Sequence, residues 1–348
     1  MIVKKLTVAA AVTAAITVGL VYAQAARDYI SIVGSSTVYP FSTTVAEQFG
    51  KISKFKTPKV ESTGTGGGLK LFCAGVGVQY PDIANASRRI TPTEIETCSN
   101  NGVKDIAEVV IGYDGIVFAS AKKDKPLSLT REQLYKAIAK QVPQDGKLVP
   151  NPYKRWNEID PSLPAEEIVI YGPASNHGTR DVLVELVMDP ACEKFPEIRA
   201  ITDKDAKKAA CQSVREDGPY IEISENYTVT MQKLLASPHS IGVLTFSYLD
   251  QNGDKIQGAT IDGQKPTLAN ISSGKYPVSR PLFFYVKKAH VGTIPGIKEY
   301  IAEFTSDKAI GQEGYLTDKG LIPMPDAKRK EERANAMNLK NVDLSVAP

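Results

Sequence analysis

The sequence predicts an α/β fold with mainly parallel central sheets and flanking helices. Strand-like and helix-like segments alternate from residue 29 onward, and such alternation builds parallel sheets whose faces are covered by helices. The chain has 348 residues, which is enough for two domains of ordinary size. Its hydrophobic content of 42% and its charged content of 23% are typical of a globular protein.

The N-terminal segment has the features of a signal peptide. Lys4 and Lys5 precede a nearly charge-free run at residues 6–26. Its apolar part, roughly sixteen residues, is shorter than the ~20 residues that a membrane span needs. The run ends in small residues around Ala25, as signal peptidase requires. We therefore expect residues 1–25 to be a signal peptide and the mature chain to be periplasmic. An uncleaved anchor is the alternative, and the lack of a cysteine at the cleavage point argues against a lipoprotein.

Charge and cysteine content narrow the possible partners. The net charge is only +3, so we expect no nucleic-acid partner and no anionic membrane surface. Four cysteines in an exported chain indicate two disulfides. Pairing of neighbours, Cys73–Cys98 and Cys192–Cys211, is the simplest of the three connectivities. A metal site is the weaker alternative, because the cysteines form no C-x-x-C pair and the chain has three histidines.

The elements follow one another in a regular order. Apolar periodicity predicts strands at residues 29–33, 59–62, 82–86, 107–111, 116–119, 167–171, 240–246 and 280–286. It predicts helices at residues 37–49, 69–74, 130–140, 228–236 and 294–305, and another that starts at 180. The strongly charged segment 328–348 is expected to be a frayed tail.

Three strand-to-helix turns carry the candidate chemistry. They lie at residues 34–40 (GSSTVYP), 62–68 (STGTGGG) and 175–179 (SNHGT). Each combines small residues and hydroxyls with the start of a helix, whose first N–H groups and dipole can bind a tetrahedral anion. The alternative for each turn is helix capping alone. Because turns after parallel strands meet at one edge of a sheet, we expect them to converge on one anion site.

Arg88 follows Ser87 directly after the third predicted strand. Its guanidinium is a planar fork of donors suited to an oxyanion, whereas we expect Arg89 to be solvated surface. The chain lacks a dinucleotide fingerprint, a P-loop lysine, a Gly-x-Ser-x-Gly elbow and histidines at metal-ligand spacing. We therefore expect no cofactor and no enzyme activity. A periplasmic phosphatase or esterase is the weaker alternative.

Five motifs give the chain a family resemblance over nearly its whole mature length. They are the segments at 34–40, 63–68, 82–88 (DIANASR), 113–115 (YDG) and 178–179 (GT). With them the sequence resembles the PstS family, the phosphate-binding components of bacterial ABC phosphate importers, in an arginine-type branch. The resemblance implies a two-lobed periplasmic binding protein of the second topological type, with a hinge crossed twice. Lobe one would comprise residues 27–119 plus 245–348, and lobe two residues 120–244. It also implies inorganic phosphate as ligand and an inner-membrane ABC permease as partner, and we expect a monomer.

The same resemblance implies a set of ligand-binding positions, with Val38 acting through its backbone N–H: Ser36, Thr37, Val38, Thr65, Ser87, Arg88, His177, Gly178 and Thr179. Two positions depart from the best-known branch. Arg88 replaces the aspartate that accepts the ligand's proton, and Pro173 replaces an arginine. The proton acceptor therefore stays open, with Asp114 and Asp181 as candidates, and sulfate or molybdate stays an alternative ligand.

Three further residues stand near the predicted lobe-two turns. His177, where the family has serine, would either donate an N–H to the ligand or line the rim of the cleft. Arg180 is a possible second cation. Asn226 is expected either to cap a helix or to pair with another group at the surface.

Overall fold

A computed structural model describes residues 27–175, 177–223 and 226–345 of the chain. The predicted signal peptide, residues 1–25, lies outside these ranges. Within them, no helix combines the length and the apolar character that crossing a membrane requires.

The strands in chain order, β1 to β13, are Ser31–Gly34, Lys59–Ser62, Ile83–Ala86, Ile106–Ala121, Ser128–Leu129, Gln141–Gln144, Lys147–Pro150, Ile170–Pro173, Tyr220–Ile223, Ile241–Thr245, Ile256–Gly258, Thr260–Ile261 and Ser279–Lys287. The α-helices in chain order, α1 to α15, are Tyr39–Ile52, Thr65–Phe72, Pro92–Asn100, Arg131–Ile138, Trp156–Ile159, Gly178–Leu183, Asp189–Cys192, Pro196–Arg199, Lys204–Gln212, Tyr227–Ala236, Phe246–Gln251, Leu268–Ser272, Ile297–Phe304, Asp307–Ile310 and Asp326–Met337. A π-helical turn, Val184–Met188, joins α6 to α7.

The main sheet has the strand order β2-β1-β3-β13-β4-β10-β8-β9, with β11 also beside β4. Strands β2, β1 and β3 are parallel at one end, and β10, β8 and β9 are parallel at the other. Antiparallel pairs occur in the middle, where β13 joins β3 to β4 and β10 lies against β4. The predicted α/β class is confirmed, with helices flanking a sheet that is parallel in its outer parts.

Strand β4 connects the two parts of the sheet. The separate strands predicted at 107–111 and 116–119 form this one continuous strand, which is buried along nearly its whole length. Its first part pairs with β13, and its last residues pair with β10 and β11. Continuity through Gly112 depends on glycine, because φ is 142° there and a Cβ would lie 2.8 Å from the carbonyl oxygen of Ile322.

The predicted lobe boundaries stay a prediction, and strand pairing bears on the second of them. Strand β11 pairs with the end of β4, and β12 pairs with β5. Both strands follow residue 245, yet their partners lie at or beyond residue 119. This pairing favours a second lobe that continues to the start of β13.

The frayed tail predicted from residue 328 is wrong for the part that forms α15. Arg329 is buried, and its guanidinium donates to Asp307 (Nε to Oδ1, 2.8 Å) and to Asp326 (Nη1 to Oδ1, 2.7 Å). Ala336, on the same helix, is fully buried. Tertiary ion pairs and packing thus order a helix whose own sequence is mostly charged.

Both predicted disulfides are present. Cys73 pairs with Cys98 and Cys192 pairs with Cys211, so the described residues hold no free cysteine. The first joins the end of α2 to α3, and the second joins α7 to α9.

Candidate functional site

The first two turns and the end of β3 pack closely at one edge of the sheet. Gly34 has φ 130°, and there is no room for a side chain at this position, because a Cβ would lie 2.1 Å from the carbonyl oxygen of Asn85. A Cβ on Gly68 would lie 2.4 Å from the Cα of Gly34. Backbone hydrogen bonds complete the contact, from Ser35 N–H to Asn85 O (2.9 Å) and from Thr63 N–H to Gly34 O (2.9 Å). The glycines therefore bring the predicted site segments of lobe one together.

Thr65, the first residue of α2, contacts Ser87 at the end of β3. The Thr65 hydroxyl oxygen accepts a hydrogen bond from the Ser87 N–H at 3.1 Å and lies 3.1 Å from the Ser87 hydroxyl. Two of the predicted ligand residues are thus neighbours. In the first turn, the Val38 N–H donates to the Ser35 hydroxyl at 3.3 Å.

Arg88 is ion-paired within lobe one. Its Nη1 and Nη2 donate to the two carboxylate oxygens of Glu94 at 2.9 and 2.8 Å, and its side chain is 45% exposed. This hydrogen-bonded pair raises the pKa of Arg88. Arg89, predicted to be solvated surface, is instead paired with Glu108 (Nη2 to Oε1, 2.6 Å) and donates to the Asp343 carbonyl oxygen.

The lobe-two turn is organised by His177, which caps α6. Its Nδ1 accepts a hydrogen bond from the Thr179 N–H at 2.9 Å, so Nδ1 carries no proton in this arrangement. The Thr179 hydroxyl lies 2.7 Å from the Tyr227 hydroxyl. Helix capping is thus one role of the histidine.

A cavity of about 630 Å³ separates the first turn from the lobe-two turn. Its lining includes five predicted ligand residues, Ser36, Thr37, His177, Gly178 and Thr179. Asp114, Tyr227, Thr245 and Tyr248 also line it. The other predicted positions, Val38, Thr65, Ser87 and Arg88, are not among its lining residues, although they lie on the same turns and strand ends.

Arg280 is a site residue that the sequence reasoning missed. Its Nη2 donates to the Thr37 hydroxyl at 3.2 Å, and its Nε lies 3.6 Å from Asp114 Oδ2. Its Nη1 is ion-paired with Glu185, on the π-helical turn that follows α6. The side chain is only 13% exposed. A guanidinium from β13 therefore contacts two residues of the cavity wall.

The carboxyls around Arg280 are perturbed by their surroundings. Burial raises the pKa of Asp114, and the nearby Glu185 adds to this effect while Arg280 opposes it. Asp114 Oδ2 is buried and has no hydrogen-bond partner. Burial and Glu185 also raise the pKa of Asp181, which is more exposed and is not part of the cavity lining. Of the two candidate proton acceptors, only Asp114 faces the cavity.

Arg180 and Asn226, the two other residues singled out in lobe two, both have partners within the protein. Arg180 is buried, donates from Nε to the Pro173 carbonyl oxygen at 2.9 Å and is ion-paired with Glu222, so strand-end groups already hold its guanidinium. The capping role of Asn226 is confirmed, because its Oδ1 accepts from the Thr228 N–H at 3.0 Å at the start of α10.

Comparison with known proteins gives consistent matches. A family model described as a PBP superfamily domain matches residues 22–308. Protein SphX of Synechocystis is 30% identical over 303 residues, which cover 85% of this chain and 79% of the relative. The phosphate-binding protein PstS of Staphylococcus saprophyticus is 28% identical over 308 residues, with coverage of 86% and 82%.

Solved structures agree in fold. The crystal structure of a possible phosphate binding protein from Planctomyces limnophilus has a TM-score of 0.71 at 27% identity, covering 91% of this chain and 100% of the other. PstS from Borrelia burgdorferi has a TM-score of 0.58 at 20% identity and covers 86% of this chain and 100% of its own, which supports the two-lobed fold alone. From its matched family model and its relatives, the chain belongs to the PBP superfamily and is a PstS-type protein.

Proposed function

We propose that the protein binds inorganic phosphate between its two lobes and delivers it to an inner-membrane ABC permease. The observation that carries the proposal is the contact of Thr37 with Arg280 at one wall of a cavity that Thr179 lines from the other lobe. The name of one relative, the phosphate-binding protein PstS, supports the same ligand.

The donors around the cavity suit a tetrahedral oxyanion. Thr37 and Thr179 contribute hydroxyls, and Arg280 contributes a positive charge within hydrogen-bond distance of Thr37. Charge-assisted hydrogen bonds from a guanidinium are stronger than neutral ones, and they gain further strength where closure excludes water. Val38, Thr65, Ser87 and Arg88 would complete the lobe-one side from the same sheet edge. We regard the protein as a substrate-binding protein and not as an enzyme.

Asp114 supports phosphate over sulfate as the ligand. Phosphate carries a proton at neutral pH and sulfate does not, so a carboxylate oxygen that accepts this proton favours phosphate. Asp114 Oδ2 is buried beside the cavity and lacks a hydrogen-bond partner. We propose that it accepts the ligand's proton, the role for which the family resemblance left no residue at position 88.

The location belongs to the same proposal. The N-terminal sequence supports export by a signal peptide, and we propose that the exported protein is a periplasmic monomer that serves a permease. Mass spectrometry of the exported protein would give its N-terminus, which we expect near residue 26.

Calorimetric titration of the phosphate-stripped protein tests the function and the role of Arg280. We expect heat with phosphate, little with sulfate, and a loss of affinity of about 10- to 150-fold for Arg280→Ala, from the 1.5–3 kcal/mol of a charge-assisted hydrogen bond. Arg131→Ala is the matched control, because Arg131 is paired with Asp262 (2.7 Å) and neither residue is among those that line the cavity. No heat with phosphate would refute the function, and equal affinity in Arg280→Ala would remove that residue from the site.

A further inference from the structure

Arg280 is contacted by two carboxylates and a hydroxyl of the protein. Each part of its guanidinium faces a different group: Nε faces Asp114, Nη1 is paired with Glu185, and Nη2 donates to Thr37. Asp114 and Thr37 belong to lobe one. Glu185 comes from the helical segment that begins at the lobe-two turn, so the Arg280–Glu185 pair joins the two sides of the cavity.

The position of Glu185 follows from the shape of its helix. The π-helical turn Val184–Met188 interrupts the α-helical repeat between α6 and α7. Such turns insert an extra residue per turn and often occur at functional sites. The Glu185 side chain is 45% exposed, whereas that of Arg280 is 13% exposed. Glu185 can therefore turn into solvent at little cost in desolvation, whereas the buried guanidinium of Arg280 then needs another anion as its partner.

Charge repulsion makes a simple addition of an anion unfavourable. Asp114 and Glu185 flank one guanidinium, and Asp181 lies close enough to Glu185 and Arg280 for both to affect its ionisation. An oxyanion placed beside Thr37 would add negative charge to a site in which carboxylates already outnumber the cation. The least costly way to admit the anion is for Glu185, the more exposed of the two carboxylates that flank Arg280, to move away from the guanidinium.

We propose that Glu185 is a built-in competitor: its carboxylate occupies Arg280 in the unliganded protein, and the incoming oxyanion displaces it. The inference rests on the proposed function, since it concerns the same site. Glu185 thereby lowers the affinity for the anion, sets a threshold concentration for capture and leaves a carboxylate ready to expel the ligand when the lobes separate.

Glu185→Gln tests the competitor role, because it keeps the side-chain shape and removes the charge. We expect the variant to bind inorganic phosphate about tenfold more tightly in calorimetric titration, whereas damage to the fold would weaken binding. Glu193→Gln is the matched control, an exposed glutamate just after α7. Glu185→Ala is a second variant with the same expected direction, in case the amide distorts the turn. Small-angle scattering of the ligand-free proteins should give a larger radius of gyration for Glu185→Gln, since the bridging pair is lost.

The possible results separate the two ideas. Wild-type binding with unchanged or weaker affinity in both Glu185 variants would overturn the competitor role, and weaker binding would instead indicate that Glu185 contacts the ligand. Flat titrations of the wild type and of both variants would refute the proposed function together with this inference.

Discussion

Asp114 is a buried carboxyl in the cavity wall whose surroundings disfavour its charged form. Burial raises its pKa, Glu185 adds to that effect, and one of its oxygens has no hydrogen-bond partner. An aspartate whose charged form is disfavoured in the folded state costs stability at neutral pH. Groups of this kind are typical of functional sites, where binding requires an arrangement that folding alone would not favour.

Asp114→Asn should therefore raise the free energy of unfolding at pH 7. Above the ordinary aspartate pKa of about 3.9, the folded wild type retains a proton that the unfolded chain releases, so its stability falls as pH rises towards the folded pKa. The amide cannot ionise and escapes this loss. Urea unfolding at pH 7 and near pH 4 measures the difference. The free energy of unfolding of Asp114→Asn should exceed that of the wild type at pH 7, and this excess should shrink as the pH falls.

Asp343→Asn provides a control with the opposite sign. Hydrogen bonds from Ser345 lower the pKa of the exposed Asp343, so this variant should not gain stability at pH 7. An unfolding free energy of Asp114→Asn below that of the wild type at pH 7 would contradict the conclusion that the charged form of Asp114 costs stability.

Site residues that belong to local motifs could be predicted from the sequence, and a site residue placed by strand pairing could not. Thr37, Gly178 and Thr179 belong to local motifs, in which the strand end and the helix start follow one another along the chain. Arg280 reaches the site because it lies opposite Asp114 in the antiparallel pairing of β13 with β4. That register joins segments far apart in sequence, and no local pattern in the segment around Arg280 specifies it.

At the scale of elements, the Cys73–Cys98 disulfide fixes two helices that carry site residues. Cys73 ends α2, which begins at Thr65, and Cys98 lies on α3, which contains the Glu94 partner of Arg88. The double variant Cys73→Ser/Cys98→Ser should lose about 3–4 kcal/mol of unfolding free energy on the chain-entropy model. Urea unfolding under non-reducing conditions measures it.

Cys192→Ser/Cys211→Ser is the matched double variant in lobe two. The sequence separations are 25 and 19 residues, and the dependence on loop length is logarithmic. The two losses should therefore agree within about half a kcal/mol on the same model. A loss below about 1 kcal/mol in either variant would show that the loop-closure argument fails there.

Elements with strong local signals were predicted well, and elements that depend on tertiary contacts were not. Strand β2 matches its predicted range, and α10 begins one residue earlier than predicted. Strand β8 was placed three residues too early, because the apolar run at 167–171 does not coincide with the pairing to β9 and β10. Helix α15 was missed because its order depends on the contacts of Arg329.

At the scale of the whole molecule, Asp82 holds distant parts of the chain together. Its fully buried carboxylate accepts hydrogen bonds from Arg27 at the start of the described chain (2.9 and 3.0 Å) and from the Ser31 N–H (2.7 Å). It also contacts His290 Nδ1, just after β13, at 2.5 Å. One carboxylate thus anchors the N-terminal segment and the exit from β13 to the start of β3.

Arg27→Ala should lower the free energy of unfolding by about 3 kcal/mol, near the lower end of the cost of breaking a buried ion pair, because Asp82 keeps its contacts with Ser31 and His290. Lys56→Ala is the matched control, because Lys56 pairs with Asp28 at the surface (2.6 Å) with both side chains well exposed, and exposed pairs contribute little to stability. Chemical denaturation of both variants gives the comparison. Equal losses would show that the Asp82 cluster is no more important than a surface pair.

Strand β4 has a consequence for how the chain can be divided. Lobe one needs β13 from the last third of the sequence to join β3 to β4, and the sheet of lobe two is built on the final residues of that same β4. Lobe one is therefore not encoded by one contiguous stretch, and either part of the sheet would lose a strand if the whole of β4 were assigned to the other. A gene fragment ending between the lobes would express a sheet with an open, apolar edge, which is the kind of surface that drives aggregation. A fragment meant to fold as one lobe would therefore need the whole of β4 to complete its part of the sheet.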